Sequence, residues 1–155
     1  MVQQCKTHVM KCVASQILLS VLLSYSALGF SAERIGLVKT LDPSVSAIRQ
    51  GVEVNLTIGS KIFENDMIVT GSEGTVGITF NDGSMLTLGP NGKVVVDNYV
   101  FNLSEKKLTF LSQLLKGTVT FMSGAINKIA PGSVRFTTPT ATLGLRGTKV
   151  IIEVD

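Results

Sequence analysis

The chain has 155 residues, of which 45% are apolar and 16% charged, and this size and composition fit one globular domain with an appendage. Its only histidine, His8, and both cysteines, Cys5 and Cys12, lie within the first dozen residues. The rest of the chain lacks the residues for disulfides, thiol nucleophiles, Ser-His-Asp triads and the usual zinc sites. We therefore expect a protein that is not an enzyme and holds no cofactor or metal.

Residues 1–32 have the three regions of a secretory signal peptide. Lys6 and Lys11 precede an apolar run over residues 13–30, small residues close the run, and the first acidic residue is Glu33. We predict cleavage between residues 27 and 33, and a periplasmic or otherwise exported protein with no membrane span after cleavage. An uncleaved inner-membrane anchor is the alternative, because the run approaches the length needed to cross a bilayer.

Residues 33–155 are predicted to form one all-β domain of short strands. Glycine-containing turn signals recur at intervals typical of sandwiches, barrels and rolls, and β-branched residues fill the stretches between them. This segment carries 12 of the 14 Lys and Arg residues and all 11 Asp and Glu residues. Such a balance argues against charge-driven binding to nucleic acid, so we expect no nucleic-acid partner.

A hairpin is predicted around the loop of residues 81–83. A three-residue loop pairs Ile78 with Leu86 and Val76 with Leu88, which places all these apolar side chains on one face of the sheet. A two-residue loop would move Leu86 to the opposite face. The three-residue loop is therefore favoured.

Asp82 and Gly83 are candidate binding or structural residues within that loop. Gly83 is expected to take the left-handed backbone conformation that the turn requires. Asp82 lies in a segment with one feature of a calcium loop, but the alternating oxygen ligands and the distal Glu are missing, which favours a turn. Glu64 and Asp66 are spaced for acid–base work, but we favour a structural role in which Asp66 accepts backbone hydrogen bonds.

Residues 108–115, with the sequence LTFLSQLL, are the best candidate for a helix. Leu108, Leu111, Leu114 and Leu115 recur at three-to-four spacing. The stretch is short for a stable helix, and the residues that follow it read as a strand. A strand is therefore favoured here as well.

Four blocks occur in order along the chain: DMIVTG at 66–71, GITFNDGSMLTLGPN at 77–91, KGTVTFMSG at 116–124 and TPTATLGLRGT at 138–148. Together they resemble the FecR-type domain family, and they span most of the chain after the leader. One departure is Asn65, where the family often has glycine.

The resemblance implies an exported all-β module, a compact β-roll or β-helix-like sandwich. Regulators of that family carry a sigma factor-binding segment before a membrane span, but only 12 residues precede the apolar run here. We therefore expect no sigma factor-binding segment. The chain is similar to the short, stand-alone exported members, whose molecular role the resemblance leaves open.

The fourth block contains the remaining candidate binding or structural residues, which are Gly144, Arg146, Gly147 and Thr148. The Arg146 guanidinium suits a carboxylate or phosphate on a partner. Alternatively, it binds an internal carboxylate or caps carbonyl groups at the glycine bends, which is the interpretation we favour, because a buried arginine needs acceptors. The neighbouring threonines could form a hydroxyl ladder, but strand propensity explains them more simply.

The sequence thus predicts a non-enzymatic exported module that binds another envelope component, a protein or a glycan, in signalling or sensing. The alternative is a structural envelope domain that acts through strand-edge pairing or self-association. The final run, residues 149–155, could close a sheet or extend one.

Overall fold

The computed structural model describes residues 33–147 and 149–155. The predicted leader, residues 1–32, lies outside the described residues, so its cleavage stays a prediction. The described residues form strands and one short helix, in the order β1 (Arg34–Leu41), β2 (Val45–Arg49), β3 (Val52–Asn55), β4 (Lys61–Phe63), β5 (Met67–Thr70), β6 (Val76–Phe80), β7 (Met85–Leu88), β8 (Lys93–Asn102), β9 (Lys107–Met122), α1 (Ala125–Ile129), β10 (Val134–Thr137), β11 (Thr142–Gly144) and β12 (Lys149–Val154). No helix in this part of the chain is long and apolar enough to cross a membrane.

The strands form two curled sheets that share β9. The first sheet runs in the order β4-β1-β6-β7-β9-β12, and the second in the order β3-β2-β5-β8-β9-β10-β11. Pairing is antiparallel throughout the described strands except between β9 and β10, which are parallel. The prediction of an all-β rolled domain is confirmed.

The long strand β9 serves both sheets because its core-facing side changes at a glycine. Alternate residues over 108–114 are buried, and after the change Val119 and Phe121 are buried instead. Gly117 lies between these parts with a φ of 87°, and a Cβ there would stand 2.6 Å from the Cα of Gly92. Only glycine combines this left-handed conformation with so close an approach. The strand predicted for residues 108–115 is confirmed.

The predicted hairpin is also confirmed. Strands β6 and β7 pair Ile78 with Leu86 and Val76 with Leu88, and Gly83 has a φ of 80°. The turn before β5 contains Asn65, at the position where the family often has glycine. Asn65 takes a φ of 65°, a conformation that asparagine tolerates nearly as well as glycine, so the substitution is compatible with the turn.

The core lies between the two sheets and is centred on aromatic rings. Ring centroids are 4.8 to 5.9 Å apart in a connected cluster of Phe80, Tyr99, Phe110, Phe121 and Phe136. These rings come from strands of both sheets, so the cluster joins the two layers.

Helix α1, which the sequence analysis did not predict, connects β9 to the parallel strand β10. It spans Ala125–Ile129 and buries Ile126 and Asn127. Five residues are too few to display a helical period in the sequence. The helix matters for the site because it places Asn127 beside the chain segment that joins β11 to β12.

Candidate functional site

The chain that follows β11 leads from the edge of the second sheet to β12, at the edge of the first sheet. Leu145 is buried there, and its N–H donates to the carbonyl of Val134 at 2.9 Å. The carbonyl of Gly147 accepts hydrogen bonds from Ser123 Oγ at 2.7 Å and from Asn127 Nδ2 at 2.8 Å. The backbone is therefore fixed on both sides of Arg146.

Arg146 itself is exposed, and no hydrogen bond or ion pair joins its guanidinium to another described residue. The interpretation favoured from the sequence, an internal partner for this side chain, is therefore corrected. The carbonyl of Gly147 already has two donors, which removes one of the acceptors that Arg146 was expected to cap.

An internal arginine–carboxylate pair does occur in the fold, but it joins Arg49 to the buried Asp66. Arg49 Nε and Nη2 donate to Asp66 Oδ1 and Oδ2 at 2.8 and 2.7 Å, and the N–H of Phe63 donates to Oδ2 at 2.9 Å. Hydrogen bonding to Asp66 raises the pKa of Arg49 despite its partial burial. The expected backbone hydrogen bond to Asp66 is confirmed, while nothing in the sequence pointed to Arg49.

Glu64, the other carboxylate considered for acid–base chemistry, accepts a hydrogen bond from the backbone N–H of Tyr99 at 3.1 Å. It lies in the turn between β4 and β5, whereas Asp66 is fully buried. Both carboxylates thus hold neighbouring backbone in place.

Asp82 organises the hairpin loop as a buried hydrogen-bonding centre. Its Oδ1 accepts from the N–H of Ser84 at 3.1 Å and from the Tyr99 hydroxyl at 3.2 Å, and its Oδ2 accepts from Ser84 Oγ at 2.6 Å. The Tyr99 hydroxyl in turn accepts from the N–H of Asp82 at 2.8 Å. Burial, reinforced by the Asp82 charge, raises the pKa of Tyr99. The turn interpretation of Asp82 therefore fits its contacts.

Gly144 and Gly147 leave space around Arg146. A Cβ built at either glycine meets no atom within 4 Å, and neither glycine has the left-handed φ that excludes other residues. Thr148, the last candidate residue of the block, lies outside the described residues. The corner is therefore open to solvent, unlike the buried glycine-rich corner expected from the sequence.

Two further basic residues lie on chain segments that are hydrogen-bonded to this corner. Arg135 lies opposite Gly144 in the β10–β11 pair, and Lys128 follows Asn127, which binds Gly147. Lys128, Arg135 and Arg146 are all exposed, and none forms an ion pair with a described residue. We call these three residues the cationic corner.

The cationic corner belongs to a long stretch of one charge sign. No Asp or Glu occurs between Glu105 and Glu153, while this interval contains Lys106, Lys107, Lys116, Lys128, Arg135, Arg146 and Lys149. The near balance of charge over residues 33–155 conceals this segregation. Counting charges along the sequence in windows would have revealed it.

A cavity of about 180 Å³ adjoins Arg146. Phe121, Leu145 and Val150 supply apolar walls, and Arg146 and Lys149 supply positive charge. Sites for drug-sized ligands usually enclose roughly 300 to 1,000 Å³, so this cavity is smaller than a site of that kind.

A second, larger cavity of about 930 Å³ has a mostly polar lining, and it contains acidic residues, which the cavity beside Arg146 lacks. Its lining includes Glu33 and Glu64, and Arg34 is the only basic residue among the described residues that line it. Five separated chain segments contribute to it, which is why no local motif marked it in the sequence. Its acidic character sets it apart from the cationic corner.

A family model described as FecR protein matches residues 66–155, more than half of the chain, and the match includes Asp82 and Arg146. A solved structure titled "Cell surface anchoring domain" is 34% identical and covers 39% of this chain and 82% of its own, with a TM-score of 0.39. None of the curated proteins compared with the chain matches it.

Proposed function

From the premise that the chain belongs to the FecR protein family, we propose that it is an envelope-associated, non-enzymatic module that binds another envelope component through its cationic corner. The group recognised is a carboxylate or phosphate on the surface of that component. The module would act after export, as the leader-like residues 1–32 suggest.

The observation that carries this proposal is the exposed guanidinium of Arg146, which pairs with no described residue and lies on a fixed backbone. A guanidinium presents five donors in a planar fork that matches carboxylate and phosphate oxygens in two parallel hydrogen bonds. Because hydrogen bonds at Leu145 and Gly147 hold the backbone on either side, little conformational entropy of the main chain is lost on binding.

Charge around Arg146 supports the same interpretation. Lys128 and Arg135 add positive potential, and no acidic residue of the sequence interval 106–152 offsets it. Such a field speeds the encounter with an anionic partner and weakens as salt screens it over a Debye length of about 8 Å at physiological ionic strength.

Affinity capture from envelope extract with wild-type and variant protein tests the proposal. We expect Arg146→Ala to keep the wild-type circular dichroism spectrum and to lose most of the component that the wild type retains. Retention by the wild type should also fall as the salt concentration rises.

Lys39→Ala is the matched control, because Lys39 is likewise exposed and makes no ion pair with a described residue, but lies on β1. It should retain the component at the wild-type level. Equal retention by Arg146→Ala and wild type would refute the role of the cationic corner.

A further inference from the structure

Strand β12 presents an unoccupied edge in the described part of the chain. It spans Lys149–Val154 and pairs only with β9 among the described strands. Its other edge therefore offers backbone N–H and C=O groups to a further strand. The side chain of Ile151, near the middle of β12, is 63% exposed.

The residues of β12 are complementary to themselves in one antiparallel register. When two copies pair about a twofold axis at Ile151, Lys149 of each copy lies opposite Glu153 of the other. Val150 lies opposite Ile152 in the same register, so inner-face residues also meet inner-face residues. Opposite charges facing each other across strands stabilise the pair, and here the symmetry provides two such pairs.

Neighbouring registers lose this complementarity. Moving the axis to Ile152 places Glu153 opposite Ile151, and moving it to Val150 places Lys149 opposite Ile151. An axis at Lys149 or at Glu153 would bring like charges together. The register with Ile151 on the axis is therefore the one that pairs both charges of β12.

The other sheet edges lack this property. Strand β3 carries Glu53 as its only charge, β4 carries only Lys61, and β11 has no charged residue. Among the described edge strands, β12 alone has both signs of charge on one face. A second copy of this chain is thus the occupant that fits this edge.

We propose that the protein forms a twofold dimer in which the β12 strands of two copies pair antiparallel, with Ile151 at the axis. The first sheets of the two copies then form one continuous sheet. Lys128, Arg135 and Arg146 take no part in the strand pairing, but Lys149 also lines the cavity beside Arg146, so the dimer is tested through the oligomeric state and not through binding.

Charge reversal tests the interface by analytical ultracentrifugation of the purified full-length chain. We expect the wild type to dimerise, and Glu153→Lys or Lys149→Glu alone to raise the dimer Kd about tenfold or more, since each places like charges opposite each other twice. The double variant Lys149→Glu/Glu153→Lys restores complementarity and should dimerise like the wild type. An equimolar mixture of the two single variants should also recover the dimer.

Both positions are exposed, so the variants should keep the wild-type circular dichroism spectrum. A wild type that stays monomeric at its highest soluble concentration would overturn the proposal. So would a dimer that Glu153→Lys leaves unchanged, or a loss in the single variants that neither the double variant nor the mixture repairs.

Cysteine cross-linking tests the register. Residues directly opposite each other in antiparallel strands have Cα atoms about 4.5 to 5.5 Å apart, within the range of a disulfide. In a Cys5→Ser/Cys12→Ser background, which removes the native thiols, Ile151→Cys should therefore give a covalent dimer on mild oxidation. Met85→Cys is the control, because Met85 is similarly exposed on the first sheet but lies on β7, away from the edge. Cross-linking at Met85 but not at Ile151 would refute the register.

Discussion

Replacing Arg49 and Arg146 separately by alanine distinguishes a structural arginine from a binding arginine in the same molecule. Arg49 makes two hydrogen bonds to the fully buried Asp66, and its guanidinium lies 4.3 Å from the ring centroid of Phe63. Arg146 is exposed and makes no polar contact with a described residue. We expect Arg49→Ala to destabilise the fold and Arg146→Ala to leave it unchanged.

The size of the Arg49 effect follows from the group left behind. Removing one partner of a buried ion pair typically costs about 3 to 5 kcal/mol, because the other charge stays buried without compensation. The Arg49 side chain is 33% exposed, so solvent already screens part of this interaction. We therefore expect a loss of about 2 to 3 kcal/mol, against less than about 0.5 kcal/mol for Arg146→Ala.

Urea unfolding measures both values. With a slope of about 2 kcal/mol per molar, Arg49→Ala should lower the midpoint by about 1 to 1.5 M without changing the slope. The Arg146→Ala midpoint should stay within about 0.25 M of the wild type. A wild-type midpoint for Arg49→Ala would refute the structural role of Arg49, and a large shift for Arg146→Ala would show that Arg146 stabilises the fold.

Gly83→Val should lower the free energy of unfolding by more than about 1 kcal/mol, because a β-branched residue is strained at positive φ; an unchanged urea midpoint would contradict the left-handed turn. Tyr99→Phe should cost about 1 to 3 kcal/mol, because it leaves the N–H of Asp82 without its acceptor. The raised pKa of Tyr99 keeps the folded state protonated where the unfolded chain ionises, so wild-type stability should fall above about pH 10 more steeply than that of Tyr99→Phe. Parallel pH profiles would refute this coupling. Mass spectrometry of the envelope protein should find a start between residues 27 and 33, whereas an intact leader would favour the anchor.

The hairpin could be predicted to the residue because several local constraints agree. The apolar side chains of β6 and β7 share a face in only one of the two short loop lengths, and Gly83 supplies the conformation that this loop needs. Such constraints act within about ten residues along the chain, where sequence patterns are most informative.

Residues 108–115 illustrate a weaker signal, because leucines on both faces of a buried strand also satisfy a helical spacing. Alternate burial of Leu108, Phe110, Ser112 and Leu114 establishes the strand period. Leu111 and Leu115 are half-buried on the other face. Periodicity alone does not separate these cases over eight residues, and tertiary packing decides between them.

The site was harder to predict because it depends on contacts between distant segments. Arg49 and Asp66 pair across 17 residues, which no spacing rule identifies. Arg146 was expected to be buried because glycines flank it, but those glycines leave space instead of crowding the side chain. The total charge likewise gave no indication of the basic stretch that forms the cationic corner.

The sharing of β9 by both sheets has a kinetic consequence. Eight strands precede β9 in the sequence, and its partners β7, β8, β10 and β12 lie in both sheets. The two layers therefore complete their hydrogen bonding only after residues 107–122 have left the machinery that synthesises or exports the chain. The pairings of β9 with β7 and with β12 join segments that are distant in the sequence. Pairings of this kind fold slowly, on a scale of milliseconds to seconds. Backbone amides of β9 should then exchange their hydrogens with solvent only when the whole domain opens, whereas those of β3 exchange by local fraying.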